Sequence, residues 1–263
     1  MTVNSQSTNP REHVVCSLVI PVYNEQERIT ATLIEVFEYL GSRPESWELI
    51  VVDDGSTDQT VDIVKQACSR ISSFRLLRNE KNSGKGFSVR RGLLTATGDL
   101  LFFSDADLSS PISELTRLLE PLCEDADIVI GSRALRPEWI SPSQSALRQA
   151  AGRSFNRVLR LITGLPFRDT QCGFKGFRRA AARAILPLLT ISGYAFDVEL
   201  LYLARKFGYR SLEVPVHWGH MGGSKVRVLR DGIGMLTDLL RIRWNDRRSC
   251  YTSSPDGTQP TTR

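Results

Sequence analysis

Two carboxylates stand two residues apart in Ser104-Asp105-Ala106-Asp107, directly after the apolar run Leu100-Leu101-Phe102-Phe103. That run reads as a buried strand, and the acids fall where it ends. In an open α/β sheet the carboxyl ends of strands are where ligands bind. Two acids crowded there repel each other unless positive charge lies between them. A divalent cation carrying a phosphate-rich ligand meets that need, because magnesium is often held by one or two carboxylates plus substrate phosphates. A lone Asp-x-Asp is more often a solvated loop after a strand. Three further segments turn the reading toward a site.

The first is Ile20-Pro21-Val22-Tyr23-Asn24-Glu25, which closes a β-branched run. Pro21 cannot donate a ladder bond, so the strand stops or splays there. Tyr23 can stack on a base and Glu25 can accept from a base edge; Asn24 reads otherwise as the cap of the next helix. The second is Val52-Asp53-Asp54-Gly55-Ser56-Thr57-Asp58. Its residues are turn formers, but it repeats an acidic cluster at a strand's carboxyl end. The third is Asn82-Ser83-Gly84-Lys85-Gly86, opening a helix. Glycines let backbone approach a ligand there, and helix-start amides favour anions. The loop lacks the spacing of a Walker A motif or a dinucleotide fingerprint.

The elements that must position these loops alternate. Strands are expected at 14–22, 49–52, 74–77, 100–104 and 128–131. Helices are expected at 25–40, 60–71 (with Asp58 or Ser56 as cap), 87–96 and 112–122. Continuous apolar strands joined by crossover helices imply a mostly parallel sheet flanked by helices, an α/β fold. After a Pro/Ser linker at 141–145 come a basic amphipathic helix at 146–162, a helix at 196–207 and a strand at 212–216. A last helix at 228–244 carries an apolar stripe near Leu229, Ile233, Leu236 and Leu240. The expected organisation is a disordered tail at 1–13, a catalytic domain at 14–225, a basic amphipathic helix at 226–248 and a disordered tail at 249–263.

A chain of 263 residues with 41% apolar and 24% charged residues can bury a real core. The start is polar, with no secretory signal expected, and no apolar run approaches the roughly 18 residues that span a bilayer. A soluble or peripheral, cytoplasmic protein is expected. Five scattered cysteines argue against a disulfide framework or structural zinc. Net charge is +5, and the stretch 225–248 alone holds seven Lys or Arg against three Asp. That excess points to a local anionic partner, and without a recognition motif nucleic acid is not expected.

In order and spacing the four segments resemble glycosyltransferase family 2, whose catalytic domain has the GT-A (Rossmann-like) fold. The second half narrows the resemblance. Arg168-Asp169-Thr170-Gln171-Cys172-Gly173-Phe174-Lys175, Ala195-Phe196-Asp197-Val198-Glu199-Leu200-Leu201-Tyr202 and Gly223-Ser224-Lys225 look like the dolichyl-phosphate glucosyltransferase branch. Gly131-Ser132-Arg133 is shared with dolichyl-phosphate mannose synthases. The resemblance spans about 14–244. It implies transfer of a hexose from a nucleotide sugar to a polyprenyl phosphate at the cytoplasmic face of a membrane. It implies donor binding by Pro21, Tyr23, Glu25, Asp53, Asp54, Lys85, Asp105, Ala106 and Lys225, and Mg²⁺ or Mn²⁺ on Asp105 and Asp107. UDP-glucose is the expected donor and GDP-mannose the alternative. Two positions depart from the mannose synthases: Ser109 replaces a frequent Gln, and Gly219 replaces an Arg, with His217 or His220 as substitutes. Eukaryotic members of the branch also usually carry an N-terminal membrane helix, and none is expected from this sequence.

The implied reaction is an inverting displacement at the anomeric carbon. Charge builds on the departing nucleoside diphosphate, where a cation on Asp105 and Asp107, with Lys225, stabilises it. A phosphate monoester, with a second pKa near 6, is already mostly dianionic at pH 7, so no strong base is needed. Arg133, and second Arg148, are expected to hold the acceptor phosphate. A sugar hydroxyl acceptor would instead need a base such as Asp197 or Glu199, which do not share a helix face. Capping, or an ion pair with Arg205, is the structural alternative for both, and Asp169 is likewise ambiguous. A nucleotide-sugar sensor that kept the fold is a third reading. The basic helices at 146–162 and 226–248 fit an anionic membrane surface, or an ordinary core-packed helix.

Overall fold

The computed structural model describes residues 16–141, 156–219 and 228–252. Seven strands form one sheet: β1 (Cys16–Val22), β2 (Trp47–Asp53), β3 (Phe74–Arg78), β4 (Leu100–Ser104), β5 (Ile128–Ser132), β6 (Phe174–Arg178) and β7 (Ser211–Pro215). Their spatial order is β3-β2-β1-β4-β6-β5-β7. β1, β2, β3 and β4 pair in parallel, as do β5 and β7, while β6 runs antiparallel between β4 and β5. β1, β2 and β5 are buried along almost their whole length, which is why they read as unbroken apolar runs.

Helices cover both faces. α1 (Ile29–Gly41), α2 (Thr60–Cys68) and α4 (Leu115–Glu124) lie on one. On the other lie α3 (Lys85–Thr95), α5 (described over 156–163), α6 (Arg179–Ile185), α7 (Phe196–Lys206) and α8 (Val228–Arg247). Each face has its own core. Leu18, Phe102 and Phe174 anchor the first, and Val19, Phe103 and Phe196 the second, as strand alternation requires.

β6 and α6 were not expected from the sequence. β6 reads Phe-Lys-Gly-Phe-Arg, with a charge and a glycine inside the strand. Gly176 is required because a Cβ there would meet the Phe102 ring at 2.7 Å and Leu122 at 2.8 Å. α8 buries Leu239 and Ile242 in the same core as α7, so within the described residues it belongs to the main body. Of the stripe read from the sequence, Leu236 and Leu240 face outward. Leu240 and Trp244 are 62% and 54% exposed, while the side chains at 229 and 233 lie outside those described. Among the described residues no helix is long and apolar enough to cross a membrane.

Candidate active site

β1, β2 and β4 end side by side, and their following loops wall a cleft of about 400 Å³. Pro21, Tyr23, Glu25, Asp54, Lys85, Asp105, Ala106 and Asp107 all line it. Asn24 does not cap α1, which begins at Ile29; it takes a left-handed φ of 50° and locks the first loop to the second. Its Oδ1 accepts from Thr57 N at 2.8 Å, its own N donates to Ser56 Oγ, and Glu25 N donates to Thr60 Oγ1 at 2.7 Å. Asp58 rather than Ser56 meets the start of α2, through Thr60 N.

The adjacent acids Asp53 and Asp54 do different jobs because β2 alternates. Asp53 is fully buried beneath its turn, accepting from Ser56 N and facing Arg78; it does not line the cleft. Asp54 organises the glycine loop. Its carboxylate accepts from Ser83 N, Gly84 N and Asn79 Nδ2 at 2.9, 2.9 and 2.7 Å. Gly84, at φ 99°, has Ser192 O where a side chain would stand, so only glycine fits. This geometry aims Lys85, the first residue of α3, into the cleft.

Lys85 Nζ lies 2.5 Å from Asp105 Oδ1. Burial alone would pull this ammonium down, but Asp105 and then Asp197 hold it above its ordinary value. Gly173, just before β6, leaves room for Asp105's carboxylate on the other side. Asp107 Oδ1 accepts from Ser109 N at 3.0 Å, and Leu108 between them takes a left-handed φ of 45°, a strained conformation for a bulky residue. The two positions that depart from the mannose synthase pattern meet here, with Gly219 N donating to Ser109 O at 2.7 Å.

Among the described residues no group of three or more His, Cys, Asp or Glu could hold a metal alone. Asp105 and Asp107 offer a short, hard donor set opening on the cleft. Such a set fits Mg²⁺ or Mn²⁺ that draws its other ligands from a diphosphate and water.

Three predicted residues are engaged elsewhere. Asp197 is buried, and Lys175 Nζ donates to it at 2.6 Å and to Cys172 O at 2.6 Å. Burial pushes the Asp197 carboxyl up, against the pull of Lys175. Glu199 points another way, as the two-residue spacing requires, and accepts from Thr190 N, Ile191 N and Tyr251 OH. Neither carboxylate lines the cleft, and neither pairs with Arg205, whose guanidinium donates to Gly164 O. Arg133 forks onto Asp169 at 2.6 and 2.8 Å and lies over the Trp218 ring. Burial would lower that guanidinium, but Asp169 outweighs it and holds it above its ordinary value. Its charge is thus already matched by a buried partner. Burial raises the Cys172 thiol to about 11, which leaves it packing rather than chemistry. His217 stacks on Trp139 and bonds Glu114, off the cleft. Arg148, His220 and Lys225 lie outside the described residues.

Sequence reasoning missed Arg28, Ser88, Gly193 and Tyr194 as lining residues. Gly193 and Tyr194 directly precede the segment 195–202 already singled out, and carry no acid or base to mark them.

A metal-ready cleft at the strand ends of this sheet is the architecture of a GT-A glycosyltransferase. The model of glycosyl transferase family 2 matches residues 17–186, and the chain belongs to that family, on its dolichyl-phosphate beta-glucosyltransferase branch. It is 35% identical over 251 residues to a dolichyl-phosphate beta-glucosyltransferase of Dictyostelium discoideum, covering 91% of this chain and 77% of the relative. To those of Saccharomyces cerevisiae and Homo sapiens it is 34% identical, covering 91% and 86% of this chain and 79% and 74% of theirs. Among solved structures it resembles glucosyl-3-phosphoglycerate synthase from Mycobacterium tuberculosis in complex with Mn²⁺, UDP and phosphoglyceric acid. There the TM-score is 0.60 at 22% identity, covering 92% of this chain and 80% of that one. The same enzyme with Mg²⁺ and UDP gives 0.58 at 21%, covering 89% and 79%. At such identity the likeness carries the fold alone.

Proposed function

We propose that the protein transfers glucose from UDP-glucose, with inversion, to a dolichyl or other polyprenyl phosphate. The observation that carries this reading is the convergence of Tyr23, Glu25, Lys85, Asp105 and Asp107 on one cleft, in a chain whose relatives bear that activity in their names. Tyr23 and Glu25 receive the base. Asp105 and Asp107 hold Mg²⁺ or Mn²⁺, which when bound neutralises the departing diphosphate. Lys85 stands beside them as a second cation for the same charge.

The acceptor oxygen needs no base, because a phosphate monoester is already ionised at neutral pH. The burial of Asp197 and Glu199, each with its own partners, supports this acceptor over a sugar hydroxyl. Arg133 offers the acceptor phosphate only what its pairing with Asp169 leaves. The resemblance to the family assigns Arg148 to the acceptor phosphate and Lys225 to the donor, and both lie outside the described residues.

The reaction is placed at the cytoplasmic surface of the membrane that holds the acceptor. Exposed Leu161 on α5 and Leu236, Leu240 and Trp244 on α8, with Arg248 over the Trp244 ring, support an interfacial seat. Flotation with anionic vesicles at low salt tests the seat; equal recovery with and without vesicles refutes it.

The reaction is tested by transfer of labelled sugar into organic-extractable lipid. Polyprenyl phosphate and Mg²⁺ or Mn²⁺ are supplied with UDP-glucose, UDP-GlcNAc or GDP-mannose in parallel. Label from UDP-glucose alone, lost in Asp107→Ala, is expected. Label from GDP-mannose would overturn the sugar assignment, and donor hydrolysis without lipid label would overturn the acceptor.

A further inference from the structure

The cleft holds three charges close together: Asp105, Asp107 and Lys85. The ammonium sits 2.5 Å from Asp105 Oδ1, one of the oxygens a cation would need. Lys85 is not there by default of a long flexible side chain. Its backbone is fixed by the Gly84 turn, which Asp54 grips through the amides of Ser83 and Gly84. Gly86 N bonds Ser192 O at 2.8 Å on the far side. Only 21% of the Lys85 side chain is exposed, against 36% for Asp105, so the pair is partly shielded from water.

The net charge of the three groups is −1. A divalent cation entering alone has to displace Lys85 from Asp105 and leave an ammonium in the cleft without its closest counter-charge. A nucleoside diphosphate entering with the cation changes this. It brings negative oxygens that Lys85 can take in exchange, and their charge offsets that of the cation.

We propose that Lys85 is an internal counter-ion that guards Asp105, so that the acidic pair accepts a divalent cation only together with a nucleoside diphosphate. The proposal rests on the metal site described above. It makes Lys85 a positioning residue that sets the coupling between cation and nucleotide. Coupling between two ligands is reciprocal and typically 5–150-fold.

The test reads binding rather than turnover. Free Mn²⁺ is followed by electron paramagnetic resonance during titration of wild type, Lys85→Met and Lys85→Arg, each with and without saturating UDP. Lys85→Met removes the guard, so its nucleotide-free affinity for Mn²⁺ is expected to rise about tenfold. The enhancement by UDP is expected to shrink by the same factor. Lys85→Arg keeps the charge and is expected to stay within threefold of wild type (roughly the lower edge of such couplings). Unchanged or weaker nucleotide-free binding in Lys85→Met overturns the proposal, as does an equal rise in Lys85→Arg. If wild type with UDP binds no Mn²⁺, the metal site and the proposal fall together. Mn²⁺ bound with UDP but insensitive to Lys85→Met sinks the guard alone. Thermal melting of each variant separates these outcomes from misfolding.

Discussion

Gly173→Ala should separate catalysis from folding. A Cβ at this position overlaps the Asp105 Oδ2 and Cγ atoms outright and stands only 2.7 Å from Oδ1. Non-bonded carbon and oxygen need about 3.5 Å and Oδ2 would stand 1.9 Å away, so the carboxylate has to retreat by more than about 1 Å. Asp105 is a short side chain with part of its surface open, so the retreat costs little stability. Gly173 has no left-handed φ, so the backbone does not oppose alanine and the cost lies in the overlap with Asp105. The site is less forgiving, since metal ligands are held within about 0.2 Å of ideal distances. A misplacement of about 1 Å costs on the order of 10²-fold in rate, or about 2.7 kcal/mol of transition-state stabilisation. The expected result is a melting temperature close to that of wild type with kcat/KM for UDP-glucose about a hundredfold lower, and weaker Mn²⁺ binding in the presence of UDP. Activity within threefold of wild type would show that Asp105 is not where the reaction needs it. A large fall in melting temperature would show that the packing argument is wrong.

Two other perturbations test the buried charges. Lys175→Met strands Asp197 inside the core and is expected to cost about 3–5 kcal/mol in urea unfolding, most of it regained in Lys175→Met/Asp197→Leu; a loss below about 1 kcal/mol would mean that the pair is not isolated from water. Burial would raise the Asp169 carboxyl, but Arg133 outweighs it and holds it below the ordinary carboxylate range. Its contribution to stability is therefore present above the ordinary value of about 3.9 and lost as pH falls through the lowered one. Melting temperature should drop on acidification below about pH 4, and Asp169→Asn should lower it at neutral pH while flattening that drop. An acid slope identical in the variant would remove Asp169 from the account.

Much of the first half was legible because its physics is local. β1, β2, β4 and β5 are apolar runs, and β2 and β4 carry acids at their ends, the pattern of strands buried on both faces that open on a site. The pairing of Pro21, Tyr23, Glu25, Asp54, Asp105 and Asp107 in one cleft followed from the rule that strand ends converge. What failed depended on partners distant in sequence. β6 was hidden because it carries Lys175, whose charge is matched by Asp197 on another element. Arg133 read as a free cation because nothing in its own segment announces Asp169. Asp53 and Asp54 could not be told apart until the register of β2 showed which one faces the cleft.

The antiparallel insertion of β6 also sets an order of events. As the chain leaves the ribosome, β1 to β4 find parallel neighbours among strands already made. β5 cannot: its only sheet neighbours are β6 and β7, both still to come. More than forty residues separate the end of β5 from the start of β6, so a long loop must close before the sheet is whole. Gly173, which makes room for Asp105, arrives with β6. The nascent chain thus holds the loops after β1, β2 and β4 before it has the wall that Gly173 adds beside Asp105, and the cleft is among the last features that synthesis completes.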